Sequence, residues 1–338
     1  MNKLTAKDFK RGIRVVKSQL TDFDNYPVYQ NSLKPLGFYS KYNVKANTVF
    51  VICAGAAGDI GFSNKNFWAA DDCYYLETDK YVDSKFIYYY LLSIQNDIKR
   101  QVRQASVPRL GSNVLKSIIL PSVSDNKQQE IVKILDSFTN LINTLNEELS
   151  LRQKQFEYYR EKLLTFDEKP TSIFKFTKVL RGKRLTTKEL SDNAKYPVYH
   201  GGTEPIGYYN EYNRDANTVM VINVGASAGT IGFCNQAFWS SDGCYCLSHN
   251  QKIDNKFLYY SLLIREYKIK SQVRYAGIPT LDQKVIENIQ LFIPSLAIQQ
   301  SIVEKLDAFE SLISSLKEEI ALRQKQYEYY REKLLTFN

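Results

Sequence analysis

The sequence has few residues of the types that bind metals or shuttle protons. Its 338 residues include only two histidines and five cysteines, and no two cysteines form a CxxC pair. The closest cysteines, Cys244 and Cys246, have the spacing of two residues on the same face of a strand. We therefore predict buried free thiols, and neither a zinc site nor a disulfide.

Long apolar segments are also missing. No run approaches the roughly 18 consecutive apolar residues of a transmembrane helix. The N-terminal segment Met1–Asp8 lacks the apolar region of a signal peptide. We expect a soluble protein that works in the cytoplasm and does not bind a membrane.

Several catalytic motifs are absent. The sequence contains no GxxxxGKS/T phosphate loop and no Asn-Pro-Pro-aromatic tetrapeptide of the kind used to methylate an amino group of a base. The glycine-rich segments Gly55–Gly61 and Gly225–Gly232 follow strands but do not run into helices, so we interpret them as tight turns, in preference to dinucleotide sites. We predict that the chain alone has no catalytic residue, metal or cofactor.

Basic residues outnumber acidic residues by 45 to 36, which gives a formal net charge of +9. Residues 1–166 carry a net charge of +6 and residues 167–338 carry +3. A basic balance favours a polyanionic partner, and nucleic acid is the commonest one. Composition alone does not exclude a protein whose positive charge has no role in binding nucleic acid.

The chain contains two copies of one sequence unit. Tyr26–Tyr29 recurs as Tyr196–Tyr199, and Leu151–Phe166 recurs as Leu322–Phe337 with one change. A period of about 171 residues is far longer than a solenoid repeat, so the sequence indicates a tandem duplication of a whole domain. The carboxylates Asp71–Asp72 are matched by only one aspartate in the second copy, which favours turn residues over a catalytic pair.

Each copy has two parts. The first part has short apolar runs broken by Asn, Gly and Pro, with predicted strands at Val49–Cys53 and Val219–Asn223 and predicted helices, each begun by an aspartate N-cap, at Asp83–Lys99 and Asp254–Lys270. The second part is one long helix. We therefore predict an α+β fold with globules over 1–121 and 172–294, long helices over 122–166 and 295–338, and a linker over 167–171.

The long helices carry an apolar seam with alternating spacings of four and three residues. In the first copy the seam is Ile131, Leu135, Phe138, Ile142, Leu145, Leu149, Arg152, Phe156, Tyr159 and Leu163, and the second copy repeats it 171 positions later. We predict an antiparallel coiled coil of the two helices with internal pseudo-twofold symmetry. The alternative is that each helix lies on its own globule.

These features together resemble the specificity subunit of type I restriction-modification systems, and the resemblance covers nearly the whole chain. It rests on motifs that occur twice in the same order: Ile60-Gly61-Phe62 and Ile231-Gly232-Phe233, Phe67-Trp68 and Phe238-Trp239, Val107–Leu110 and Ile278–Leu281, Gln128–Ile131 and Gln299–Ile302, and the Leu-Arg-Gln-Lys-Gln helix segments.

The resemblance implies that each globule is a target-recognition domain that reads one half of a bipartite site in double-stranded DNA. It implies that the helices set the gap between the half-sites and dock two modification subunits, which together form an adenine-specific methyltransferase that uses S-adenosylmethionine. Restriction subunits would add a nuclease dependent on ATP and Mg²⁺. A coiled-coil adaptor for protein or glycan, and a stand-alone DNA-binding protein, remain the alternatives.

Comparison of the two copies selects candidate site residues, because loop positions that differ can read different bases. The base-reading candidates are Gln30, Asn31, Lys34, Gln104 and Arg109 in the first copy, and His200, Thr203, Tyr275 and Thr280 in the second. The phosphate candidates, present in both copies, are Arg103, Arg274, Gly58 and Gly229. The subunit-docking candidates are Arg152, Tyr158, Tyr159, Arg323, Tyr329 and Tyr330. For the seam arginines, pairing with Glu148 and Glu319 is the alternative.

Overall fold

The computed structural model describes residues 9–23, 25–78, 82–167 and 169–337. The chain divides into two compact units, one formed by 1–147 with 318–338 and the other by 148–317. Each unit contains one globule and one portion of each long helix. The domain boundaries given above stay a prediction, because the compact units divide both helices instead of separating them from the globules.

The first half of the chain contains seven strands and four helices among its described residues. The strands are β1 (Phe9–Arg11), β2 (Tyr26–Tyr29), β3 (Gly37–Tyr39), β4 (Thr48–Ile52), β5 (Ile60–Ser63), β6 (Trp68–Ala69) and β7 (Cys73–Leu76). The helices are α1 (Ser84–Ser93), α2 (Gln95–Arg100), α3 (Ser112–Ser117) and α4 (Asp125–Leu164).

The second half repeats this order and adds a small two-stranded sheet. Its strands are β8 (Thr171–Ser172), β9 (Thr177–Arg181), β10 (Tyr196–Tyr199), β11 (Gly207–Tyr209), β12 (Thr218–Ile222), β13 (Ile231–Cys234), β14 (Trp239–Ser240), β15 (Cys244–His249) and β16 (Gln290–Leu291). Its helices are α5 (Asn255–Leu263), α6 (Glu266–Lys270), α7 (Gln283–Glu287) and α8 (Leu296–Leu335).

Both globules have the same sheet topology. The large sheet is antiparallel, with strand order β1-β7-β4-β5 in the first globule and β13-β12-β15-β9 in the second. A three-stranded sheet, β3-β2-β6 or β11-β10-β14, contains one parallel pair. The predicted α+β class and the tandem duplication are therefore confirmed.

Strand β4 is apolar from Val49 to Ile52 because both of its faces are covered. Val49 and Val51 share a core with helix α1, whereas Phe50 and Ile52 pack on the opposite face in a cluster with Phe67. Alternate residues of a strand point to opposite faces, so burial on both sides requires an uninterrupted apolar run. All five cysteines are free and buried, as predicted.

The predicted helix Asp83–Lys99 is two helices in the structure. Asp83 caps α1 as expected, since its carboxylate accepts from the N–H groups of Lys85 and Phe86. Helix α1 ends at Ser93, and α2 then turns toward the glycine-rich turn, where the Gln95 side chain donates to Gly58 O at 3.0 Å. This long-range contact was not visible in the local pattern. The equivalent helix of the second half is also divided, into α5 and α6.

In each unit the portions of the two long helices lie side by side and run in opposite directions. In the first unit Phe138 stacks on Tyr330 with ring centroids 5.4 Å apart, and Leu335 joins the buried cluster of Ile131. In the second unit Tyr159 stacks on Phe309 at 5.5 Å. The antiparallel pairing is therefore confirmed.

The long helices also pack on the globules, so the alternative arrangement is present as well. Tyr89 of α1 donates to Asp136 Oδ1 at 2.6 Å, and Tyr260 of α5 donates to Asp307 Oδ1 at 2.5 Å. The buried amide of Gln128 accepts from Asp83 N–H at 2.9 Å. These partly buried polar contacts hold each helix in a defined orientation on its globule, because hydrogen bonds are directional.

Candidate nucleic-acid interface

Three loops of the first unit converge at one end of its large sheet. They are the loop after β2 (30–34), the turn between β4 and β5 (53–59) and the loop after α2 (103–109). Ala56 N–H donates to Asn31 O at 2.9 Å, and Gly55 N–H donates to Pro108 O at 3.1 Å. Segments far apart in the sequence thus form one surface, here called the first loop surface.

Gly55 lies at the centre of the first loop surface. Its φ is +77°, and a Cβ at this position would lie 2.8 Å from Asn31 O. Only glycine tolerates both the positive φ and the close backbone approach without strain. The segment then continues into strand β5, so the interpretation as a tight turn is confirmed and the turn joins the loops on either side of it.

Two arginines of the first loop surface are held on a fixed backbone. Arg103 N–H donates to Arg109 O at 2.9 Å, and Arg109 N–H donates to Arg103 O at 3.1 Å. Both side chains are exposed, as is Gln104 between them. The backbone is therefore ordered while the cationic groups remain accessible to a polyanion, which lowers the entropic cost of binding.

The second unit forms the same surface with different side chains, here called the second loop surface. Gly225 N–H donates to Pro279 O at 2.9 Å, and Arg274 and Thr280 exchange backbone hydrogen bonds at 2.9 and 3.0 Å. Tyr275 is 73% exposed at the tip of this loop. A groove of about 550 Å³ opens on this surface, and His200 and Thr280 line it.

Most of the predicted base-reading residues lie on these two surfaces. Gln30, Asn31, Gln104 and Arg109 lie on the first, as does Lys34, which is exposed at the far end of its loop. On the second surface lie His200, Tyr275 and Thr280. Thr203 is exposed, but its methyl group lies over Gly232 of the sheet. Contact with bases stays a prediction for all of them.

Gly58 and Gly229 have a structural role in their turns. Both are buried, and their N–H groups donate to Ile52 O at 2.8 Å and to Ile222 O at 2.7 Å. A Cβ at Gly58 would lie 2.8 Å from Cγ of Lys99. These glycines have no free N–H for a phosphate. Of the phosphate candidates, only Arg103 and Arg274 have an exposed donor group.

Sequence reasoning missed Arg14 and Arg184, which follow β1 and β9. Arg184 lines the groove of the second loop surface, and both arginines are exposed. The tryptophans position these segments, since Trp68 Nε1–H donates to Ile13 O at 2.8 Å and Trp239 Nε1–H donates to Lys183 O at 2.7 Å. The available signal was an arginine retained at the same place in both copies.

The predicted docking residues divide into three groups. Arg152 and Arg323 form the ion pairs expected as the alternative, with Glu148 and Glu319, each at 3.3 Å. Docking by these arginines stays a prediction. Tyr159 and Tyr330 each stack on an aromatic ring of the other long helix.

Tyr158 and Tyr329 are each 58% exposed. Leu151 and Leu322, which lie seven residues earlier in the two helices, are 61% and 62% exposed. Residues seven positions apart lie on the same face of a helix. Each helix therefore presents an exposed apolar pair, here called the helix stripe.

The described residues contain no group of three or more histidine, cysteine, aspartate or glutamate side chains placed to hold a metal. Within the same residues, no helix combines the length and the apolar character needed to cross a membrane.

Comparison with known proteins agrees with this duplicated architecture. A family model of the type I restriction modification DNA specificity domain matches residues 7–151 and, a second time, residues 171–322. A type I restriction enzyme specificity subunit of Haemophilus influenzae is 30% identical over 357 residues, covering 96% of this chain and 91% of the relative. A type I specificity subunit of Mycoplasma genitalium is 26% identical, covering 91% and 88%.

Solved structures share the fold. The crystal structure of a type I restriction-modification S subunit from Mycoplasma genitalium superposes with a TM-score of 0.77 at 23% identity, covering 100% of this chain and 96% of that chain. A second structure, from a type I restriction-modification system, gives a TM-score of 0.59 at 13% identity, covering 99% and 96%.

The fold and its two loop surfaces define a class of protein in which one α+β domain and its long helix are duplicated in a single chain. Two copies of one family model account for most of that chain. The chain belongs to the type I restriction-modification DNA specificity family.

Proposed function

We propose that the chain is the DNA-recognition subunit of a type I restriction-modification complex, and that each loop surface reads one half of a bipartite site in double-stranded DNA. The observation that carries this proposal is the convergence of three loops, at the same place in both units, on a scaffold that is otherwise repeated. A repeated scaffold with different exposed side chains suits two related sites of different sequence.

The side chains of the two surfaces fall into two groups, which we expect to contact phosphates and base edges respectively. Arg103 and Arg274 are exposed at matching positions of both surfaces, so they would contact phosphates, which every DNA sequence presents. Positions that differ, such as Arg109 and Thr280, would contact base edges. An arginine can bind guanine O6 and N7 together, whereas a threonine makes a single hydrogen bond or a methyl contact.

We further propose that the chain itself is not catalytic and acts through partner subunits. Two modification subunits would supply the adenine-specific methyltransferase with S-adenosylmethionine, and restriction subunits would supply the ATP- and Mg²⁺-dependent nuclease. The helix stripe is the surface proposed for docking, because exposed tyrosine and leucine pairs in the same place on both helices could receive two copies of one partner. A complex of this kind would act on DNA in the cytoplasm.

Selection from randomised duplex DNA tests the proposal. The chain, co-expressed with a modification subunit of the proposed complex, is incubated with the library at moderate salt, and bound DNA is sequenced. Two short blocks at a constant gap would support bipartite recognition, whereas a single block would mean that one loop surface does not read DNA. No enrichment by an assembled complex, with salt-insensitive binding, would refute the proposal and favour a protein- or glycan-binding adaptor.

A further inference from the structure

The second loop surface contains a histidine where the first surface has Gln30. His200 lines the groove of about 550 Å³ together with Arg184, Asn223, Asp242, Gly243 and Thr280. It follows β10, and its ring lies against the turn between β14 and β15. The orientation of this ring can be worked out from its neighbours.

The contact with Gly243 indicates which nitrogen of the imidazole ring carries the proton. Gly243 N–H donates to His200 Nδ1 at 3.2 Å, and Asp242 Oδ1 lies 3.3 Å from the same nitrogen. A nitrogen that accepts a hydrogen bond carries a lone pair, so the neutral ring has its proton on Nε2. With the Gly243 contact formed, Nε2 is therefore a hydrogen-bond donor.

Gly243 provides the space that the ring occupies. A Cβ at this position would lie 2.7 Å from His200 Nδ1 and 2.8 Å from Cε1, which is closer than real Cβ contacts. The first copy has Asp72 at the position equivalent to Gly243, and Gln30 at the position of His200. The two positions therefore differ together between the copies, which is the pattern expected if Gly243 accommodates the histidine.

We propose that His200 reads a purine in the half-site bound by the second loop surface, by donating from Nε2 to the purine N7 in the major groove. This inference rests on the proposed function. Adenine and guanine both present N7 as an acceptor, whereas cytosine presents only an amino donor there. A side chain that only donates therefore excludes cytosine. Gln30 has a donor and an acceptor in one amide and carries no such restriction.

In this arrangement Gly243 is a positioning residue, because it acts on the DNA only through the ring. Arg184 contributes positive charge to the same groove, which favours the approach of a phosphate backbone. Thr280 Oγ1 donates to Ile278 O at 2.9 Å, so its remaining lone pairs make it an acceptor toward the groove. The groove thus presents a donor and an acceptor of different residues.

The test uses the full chain and the duplex found by selection, with each purine replaced in turn by 7-deazaadenine or 7-deazaguanine. These analogues replace N7 by C–H and leave the Watson–Crick edge intact. We expect one purine of one block at which the replacement weakens binding about 3- to 10-fold, the effect of one hydrogen bond. His200→Ala should abolish the sensitivity at that purine and leave any other sensitivity unchanged.

Gly243→Ala provides a second variant in which His200 is present but displaced. It should lose the same sensitivity while far-UV circular dichroism remains close to that of the parent chain, although the added Cβ would also lie 2.8 Å from Val224 Cγ1 and lower the unfolding midpoint somewhat. Gln30→Ala is the matched control, because it changes the equivalent position of the other surface and should leave the sensitive purine unaffected.

Two results would overturn the inference: a sensitivity that persists at that purine in His200→Ala, or two selected blocks without any sensitive purine. Failure to select any block would instead refute the proposed function, and this inference with it.

Discussion

The hydroxyl of Tyr89 ties the first globule to α4, and Tyr89→Phe removes only this group. The ring is 2% exposed, and the hydroxyl donates to Asp136 Oδ1 at 2.6 Å. A hydrogen bond to a charged acceptor contributes about 1.5–3 kcal/mol. Asp136 is 27% exposed and keeps its ion pair with Lys85 at 2.8 Å. We therefore expect a loss at the low end of this range, about 1.5 kcal/mol in the free energy of unfolding.

The loss in the free energy of unfolding caused by Tyr89→Phe should not depend on pH near neutrality. Burial raises the pKa of Tyr89, and its hydrogen bond to Asp136 raises that pKa further. A group with a raised pKa in the folded state contributes its full stabilisation below the pKa of the unfolded chain, about 10 for tyrosine, and loses it as pH rises through the folded value. The difference between parent and variant should be constant from about pH 6 to 9 and decrease only above about pH 10.

Urea unfolding followed by circular dichroism measures the effect, with Tyr90→Phe as the matched control on the same helix. The Tyr90 hydroxyl donates to the neutral carbonyl of Ile119 at 2.9 Å, so its loss should cost less, about 0.5–1 kcal/mol. A double-mutant cycle of Tyr89→Phe with Asp136→Asn isolates the pair. Equal losses for the two tyrosine variants, or no coupling in the cycle, would refute the reasoning.

Three further predictions follow from the loop surfaces and the helices. Gly55→Ala should destabilise the chain by about 1–3 kcal/mol in thermal unfolding, because the φ of +77° at this position is strained for alanine. Gly202→Ala, with nothing within 4 Å of the added Cβ, should be nearly neutral, and equal effects of the two substitutions would contradict this. Arg109→Ala should relax one base position of one selected block, and Arg103→Ala should instead weaken all sequences and lower the salt slope by about 1; unchanged base preference in Arg109→Ala would exclude that assignment. Tyr158→Ala should weaken co-purification of the modification subunit with little loss of folding stability, and intact co-purification would remove the helix stripe from the proposed interface.

The features that the sequence predicted well are those with local or repeated signals. The seam from Ile131 to Leu163 predicted the long helix because its spacing follows the period of paired helices. The N-cap at Asp83 was predictable because capping needs only the next few residues. The duplication was evident because Leu151–Phe166 and Leu322–Phe337 are nearly identical.

What the sequence did not predict depends on contacts between distant segments. The division of the helix after Ser93 follows from packing against the glycine-rich turn, and the burial of Gly58 follows from the same contact. Likewise, the turn at Asp242 was interpreted correctly, but its place beside His200 could not be predicted because 43 residues separate Gly243 from the ring that it contacts. The loops of each surface meet because the strands that carry them are paired in sheets.

The central claim is that two loop surfaces read two half-sites at a fixed separation. The most direct test compares the affinity of the assembled complex for the selected duplex with its affinity for duplexes in which the gap between the blocks is lengthened or shortened by two base pairs. Either change should reduce binding at least to the level of a duplex with one block. Equal affinity for all gap lengths would contradict it.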